Sequence, residues 1–156
     1  MASLSKDEVK FGQNKSVTAQ AEKLFQRIIA EFSQAGRSGP ELARRAKPEL
    51  HVLRHLTIGH PAPVAEGEDL NGRPMKLSDY RSKVIVLIFW SGDFSESQSY
   101  RKLIAAMTGK PFALLGVNCD KDIARAQASV EKYQITWPSF RDGRDGPIAS
   151  LWHVNR

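Results

Sequence analysis

Lys83-Val-Ile-Val-Leu-Ile-Phe-Trp90, followed at once by Ser91-Gly-Asp-Phe-Ser-Glu-Ser97, is the stretch that decides the fold. Residues 84–90 are apolar without alternation and rich in β-branched and aromatic types. That pattern predicts a strand buried on both faces, as in a parallel sheet, delivering the chain to a polar loop. Downstream, residues 100–107 read as a helix closed by Gly109-Lys-Pro111, and Phe112-Ala-Leu-Leu-Gly-Val117 as a second buried strand. Asp120 or Asp122 is placed to cap a helix running to about Tyr133. Residues 134–140 form an extended, edge-like segment, because Pro138 cannot donate to a ladder. Pro147 then opens a last short helix through Trp152. This alternation predicts an α/β sheet with a right-handed crossover.

Working upstream, residues 58–63 are extended by two prolines, and Asn71-Gly72 between short segments predicts a hairpin with a type I′ turn. Residues 17–35 carry Ala21, Leu24, Phe25, Ile28, Ile29, Phe32 and Ala35, a stripe at helical spacing that Gly36 is placed to stop. Pro40 suits the start of a second helix to about Leu56, expected to break or kink near Pro48. Three regions are therefore expected: a disordered N-terminus at 1–16, a helical hairpin appendage at 17–56 and an α/β domain at 57–156.

The 156 residues suffice for one domain with one core. The net charge of +6 is spread along the chain, with a denser patch at Arg37, Arg44, Arg45, Lys47 and Arg54. No basic run interleaves with aromatics, so no nucleic-acid partner is expected. Cys119 is the single cysteine, which excludes an intrachain disulfide and a Cys-rich zinc site. Residues 1–23 contain no apolar block of the secretory kind. The longest apolar run, 84–90, is far below the roughly 20 residues a membrane span needs. A soluble, cytoplasmic protein without a membrane partner is the expectation.

The blocks IGHPAP (58–63), EGEDLNGRPMKLSDYRSKVIVLIFW (66–90), GKPFALLGVNCDKD (109–122) and ITWPSFRDG (135–143) with GPIASLWHV (146–154) resemble the TlpA-like redoxins. These belong to the thioredoxin-like superfamily that also holds the alkyl hydroperoxide reductase/thiol-specific antioxidant proteins. The resemblance covers about residues 57–154 and implies a thioredoxin-like sheet with flanking helices and a thiol–disulfide oxidoreductase activity needing no cofactor. It also implies a Cys-x-x-Cys pair where this chain has Phe94 and Ser97. The cis-proline loop, hairpin and helix of such proteins would follow beyond Arg156, so the domain is expected to be incomplete at its C-terminus. The strand at 84–90 would then keep an open edge, available to an unknown protein partner or to self-association.

Thiol–disulfide exchange needs a thiolate and a second sulfur to resolve the mixed disulfide. Neither Phe94 nor Ser97 supplies one, so no intact catalytic set is expected and the family chemistry reads as lost. Cys119, at the carboxyl end of the second strand, is the remaining thiol candidate; its plain alternative is a small, half-buried residue in a serine-like slot. Ser91, Ser95, Ser97 and Ser99 beside Asp93 and Glu96 lack a nearby histidine and read as a helix start rather than a hydrolase site. His51 and His55 share a helical face, but without a convergent third ligand no metal site is read. Three readings follow: an inactive redoxin kept as a binding or assembly module, a weak single-thiol redox protein using Cys119, or a remnant without its own function.

Overall fold

The N-terminal apolar stripe forms helix α1, Lys15–Phe32, in the computed structural model, which describes residues 15–154. Of the segment expected to be disordered, residues 1–14 lie outside the described residues, whereas Lys15 and Ser16 already belong to α1. Helix α2, Gly39–His55, follows with Pro40 in its first turn. Of the break or kink expected near Pro48, the break does not occur: the helix runs on through it. The proline forfeits one backbone hydrogen bond, and packing along α1 holds the turns on either side. Arg54 Nε reaches Glu22 at 2.7 Å and ties the two helices together. This unit parts from the next between Pro63 and Val64.

The second unit opens with a hairpin of β1, Glu66–Glu68, and β2, Pro74–Lys76, paired antiparallel with Gly67 opposite Met75. Its turn is not the expected type I′. Asp69 Oδ1 accepts from the N–H groups of Asn71 and Arg73 at 2.8 and 2.9 Å, and Asp69 O accepts from Gly72 N at 3.0 Å. Only Gly72, at φ +77°, takes the left-handed conformation; Asn71 does not. The aspartate side chain thus selects a three-residue loop ending in glycine over a two-residue one.

After a short 3₁₀ turn at Leu77–Tyr80 come β3, Val84–Trp90, helix α3, Ser97–Ala106, and β4, Phe112–Asn118. Helix α4, Ile123–Tyr133, strand β5, Ser139–Arg141, and helix α5, Pro147–Leu151, complete the unit. The strands form a parallel sheet in the order β3-β4-β5. With the antiparallel hairpin, this is the α/β thioredoxin-like arrangement that the sequence led us to expect. Asp122, not Asp120, caps α4, accepting from Ala124 N at 2.9 Å. Asp142 accepts from Ile148 N and Ala149 N at 2.9 and 2.7 Å and so starts α5.

Alternation along the parallel strands sends side chains to two cores. Ile85, Leu87, Phe89, Leu115, Val117 and Cys119 pack on one face with Met75, Phe140 and Ile148. Val86, Ile88, Trp90 and Leu114 pack on the other with Phe94, Ile135 and Trp137. The expectation that β3 is buried on both faces fails at its start: Val84 is 64% exposed, and only Ile88 and Trp90 are buried. The reason is position, since β3 lies at the edge of the sheet rather than at its centre.

Burial raises the Asp69 carboxyl pKa, but the N–H groups of Arg73 and Asn71 outweigh it and hold the value below its ordinary 3.8. A group depressed in the folded state contributes stability that is complete above its unfolded value and lost as pH falls through the lowered one. The amide resonances of Asn71 and Arg73 should therefore shift together on acidification below 3.8, and Asp69→Asn should abolish that titration. Measurement of amide chemical shifts against pH checks this.

Candidate functional site

The carboxyl end of β3 leads into the loop where the family chemistry would sit. Trp90 closes the strand fully buried, its indole N–H donating to Ser139 Oγ at 3.3 Å. Gly116 makes room for that contact, because a Cβ there would lie 2.6 Å from Trp90 Nε1 and 2.2 Å from Ser139 Oγ. Gly92, in the loop that follows, is held through the two peptides that flank it. Gly92 N–H donates to both carboxylate oxygens of buried Asp120 at 3.0 Å. Gly92 C=O accepts from Ser129 Oγ at 2.8 Å. Asp120 also accepts from Asn118 Nδ2 at 2.9 Å and faces the Arg125 guanidinium at 3.4 Å. The charge is thus paired and hydrogen-bonded, the condition for keeping a carboxylate buried.

Beyond Gly92 the loop divides its side chains between solvent and core. Asp93 is exposed and accepts from Tyr133 Oη at 2.5 Å. Phe94 turns inward and is only 8% exposed. Its ring stacks on Tyr100, with centroids 5.6 Å apart and planes within 9°. It meets Trp137 edge-on at 6.3 Å and lies 5.8 Å from Trp90. Such aromatic contacts add about 0.5–1.5 kcal/mol each beyond the area they bury. Ser97 opens α3 with its side chain buried, and its N–H donates to Phe94 O at 3.1 Å.

Phe94 and Ser97 thus stand together at one corner, joined by the Ser97 N–H, and the corner is filled by an aromatic ring. Cys119 is elsewhere. It follows β4, donates its N–H to Trp90 O at 2.9 Å, and places its side chain in the core on the opposite face of the sheet. It is buried rather than half-buried. Ser95, just before α3, and Ser99, in its first turn, are exposed, while His51, His55 and His60 belong to the N-terminal unit and His153 follows α5. The His51 and His55 rings lie 4.7 Å apart, but the described residues hold no cluster of three potential metal ligands. Trp137 and Phe140 are core aromatics. The residues that sequence reasoning missed are Asp120, Asn118 and Ser129. Their signal was available in part: a carboxylate two positions beyond a buried strand needs a buried partner.

The family model described as AhpC/TSA family matches residues 58–156. The chain belongs to the AhpC/TSA family. No match is found among curated proteins. Among solved structures, this redoxin is similar to the thioredoxin domain of a thiol-disulfide oxidoreductase from Bacteroides vulgatus. The two share 24% identity over 62% of this chain and 71% of the other, with a TM-score of 0.53. A secreted Mycobacterium tuberculosis disulfide oxidoreductase homologous to E. coli DsbE shares 24% identity over 58% and 68%, with a TM-score of 0.51. A thiol-disulfide oxidoreductase from Bacteroides fragilis shares 20% over 59% and 74%, at 0.50. These likenesses are of fold. They also overturn the expected cytoplasmic location, since the M. tuberculosis protein of this fold is secreted. Among the described residues no helix is long and apolar enough to cross a membrane.

Removing the ring in Phe94→Ala should cost about 3–5 kcal/mol, the range for emptying a buried aromatic site. Asp120→Ala, which strands the Gly92 N–H and the Asn118 amide, should cost about 1.5–3 kcal/mol. Denaturant unfolding of the two variants against the parent chain measures both.

Proposed function

We propose that this redoxin does not carry out thiol–disulfide exchange and serves as a binding or assembly module built on the redoxin fold. The observation that supports this most directly is the burial of the Phe94 ring among Trp90, Tyr100 and Trp137. A thiolate nucleophile must be reached by its substrate, and this position presents an inert ring closed off by aromatic neighbours. Ser97, its side chain buried at the head of α3, offers no exchangeable sulfur.

Cys119 does not replace the pair. Its side chain packs in the core beside Val117 and Phe140, on the other face of the sheet from the 94–97 corner. A binding role draws its support from the sheet edge. The hairpin meets β5 through the bridge between Asp69 and Phe140, while the side of β3 away from β4 faces no strand among the described residues. Exposed strand edges pair readily with other chains unless they are covered or charged.

Reduction of insulin by dithiothreitol tests the catalytic half of the proposal. The rate with this protein should equal that of dithiothreitol alone; turnover above that background would overturn it. Cys119 should react with a thiol reagent on the order of 100-fold more slowly in the native protein than in denaturant, since attack waits for local opening. Equal rates in the two conditions would revive the thiol as an accessible group.

A further inference from the structure

We infer that a cavity at the amino ends of β3 and β4 binds a small carboxylate with an apolar body. The cavity measures about 350 Å³, within the range of small-molecule sites. Lys83, just before β3, and Lys110, two residues before β4, line it and are both exposed. Ile104 and Met107 come to it from the end of α3, Phe112 from the start of β4, and Trp137 from the segment after α4. It therefore lies at the other end of β3 from the 94–97 corner. Trp137 alone belongs to both, since its ring also meets Phe94.

Charge selects the ligand. The lining holds two lysines and no acid. Neither lysine is ion-paired among the described residues. Lys83 Nζ lies over the Tyr80 ring at 5.8 Å, and Lys110 Nζ meets Met107 Sδ at 4.0 Å. Exposed Asp79, next to Tyr80, is outside the lining and pairs with neither of them. Two ammonium groups beside apolar walls suit a carboxylate head on a hydrocarbon body. A second observation concerns Trp137, which is only 6% exposed and whose indole N–H has no acceptor. Buried donors are nearly always paired, and an oxygen of the bound molecule would supply the missing acceptor. Trp137 also walls a second cleft, between the loop at 69–71 and α4, but Asp69 and Glu131 there would repel an anion. The carboxylate is therefore assigned to the lysine side of the ring.

Octanoate titrated into the full chain, followed by calorimetry and heteronuclear NMR, tests the inference. Saturable binding at one site is expected, with a dissociation constant of about 0.1–1 mM, ordinary for a ligand of about ten non-hydrogen atoms. The indole N–H resonance of Trp137, assigned by its loss in Trp137→Phe, should shift with the same constant. Lys83→Glu with Lys110→Glu, folded by circular dichroism, should weaken binding about tenfold or more. Octylamine, of the same chain length and opposite charge, should bind about tenfold more weakly than octanoate. Glu131→Gln, in the second cleft, should leave octanoate binding unchanged. Absence of saturable binding, equal affinity for octanoate and octylamine, or binding indifferent to reversal of the two lysines would overturn the inference. So would saturation that leaves the Trp137 resonance unmoved, because the anion would then sit elsewhere.

Discussion

The parallel ladder between β3 and β4 is the constraint on which the second unit depends. It runs in unbroken register from Val84 opposite Phe112 to Trp90 opposite Asn118. Because side chains alternate across a strand, that register sorts the residues of both strands into two cores. One holds Leu115, Val117 and Cys119 against Phe140 and Ile148; the other holds Ile88, Trp90 and Leu114 against Phe94 and Trp137. A slip of one residue would exchange every member of the two sets. The register also fixes where β3 ends, and hence where the following loop leaves the sheet.

That loop keeps its place without sulfur chemistry. Asp120 accepts from the Gly92 N–H and Ser129 donates to the Gly92 C=O, and Trp90 is anchored on Ser139. None of these bonds involves residue 94 or 97. The scaffold and the chemical pair are thus separable, and the pair can change while the corner retains its backbone. Filling the corner with phenylalanine adds apolar burial, worth about 1.5–3 kcal/mol for such a side chain, and closes the approach that an exchange reaction needs.

Much of this architecture was legible in the residues. The unalternating run at 84–90 announced a parallel strand, and its boundaries match β3. The hairpin was announced by Asn71-Gly72, but its turn type was not, because the deciding group is the carboxylate of Asp69 rather than the dipeptide. Of the break or kink expected at Pro48, the break is absent for a related reason: a local penalty of about 3 kcal/mol was set against packing along a whole helix, which sequence spacing does not weigh. Asp120 was read with Asp122 as one of two candidate helix caps, because acids near helix starts usually are, and Asp122 is the cap. The actual task of Asp120, holding the Gly92 N–H in the loop after β3, 28 positions earlier, depends on a tertiary contact that no local pattern encodes. The corner itself was legible as a loss, from the identities of Phe94 and Ser97, but not as an aromatic cluster. Tyr100 and Trp137 reach it from a helix and from a segment beyond α4.

The position of Cys119 follows from parity. It stands one residue past Asn118, the last residue of β4, and keeps the strand's alternation, so its side chain continues the series Leu115, Val117. Phe94 and Ser97 sit on the side served by the even positions, through Trp90 and Leu114. A thiol at 119 and a partner at 94 or 97 would therefore be separated by the sheet itself. Bringing them together would take a one-residue shift of β4, which would turn Leu115 and Val117 out of their core. Burial of those two side chains is worth about 1.5–3 kcal/mol each, far more than a local loop adjustment could return. Closeness of Cys119 to the end of β3 along the ladder is thus no route to chemistry at the corner, because neighbouring backbones in a sheet can serve opposite faces.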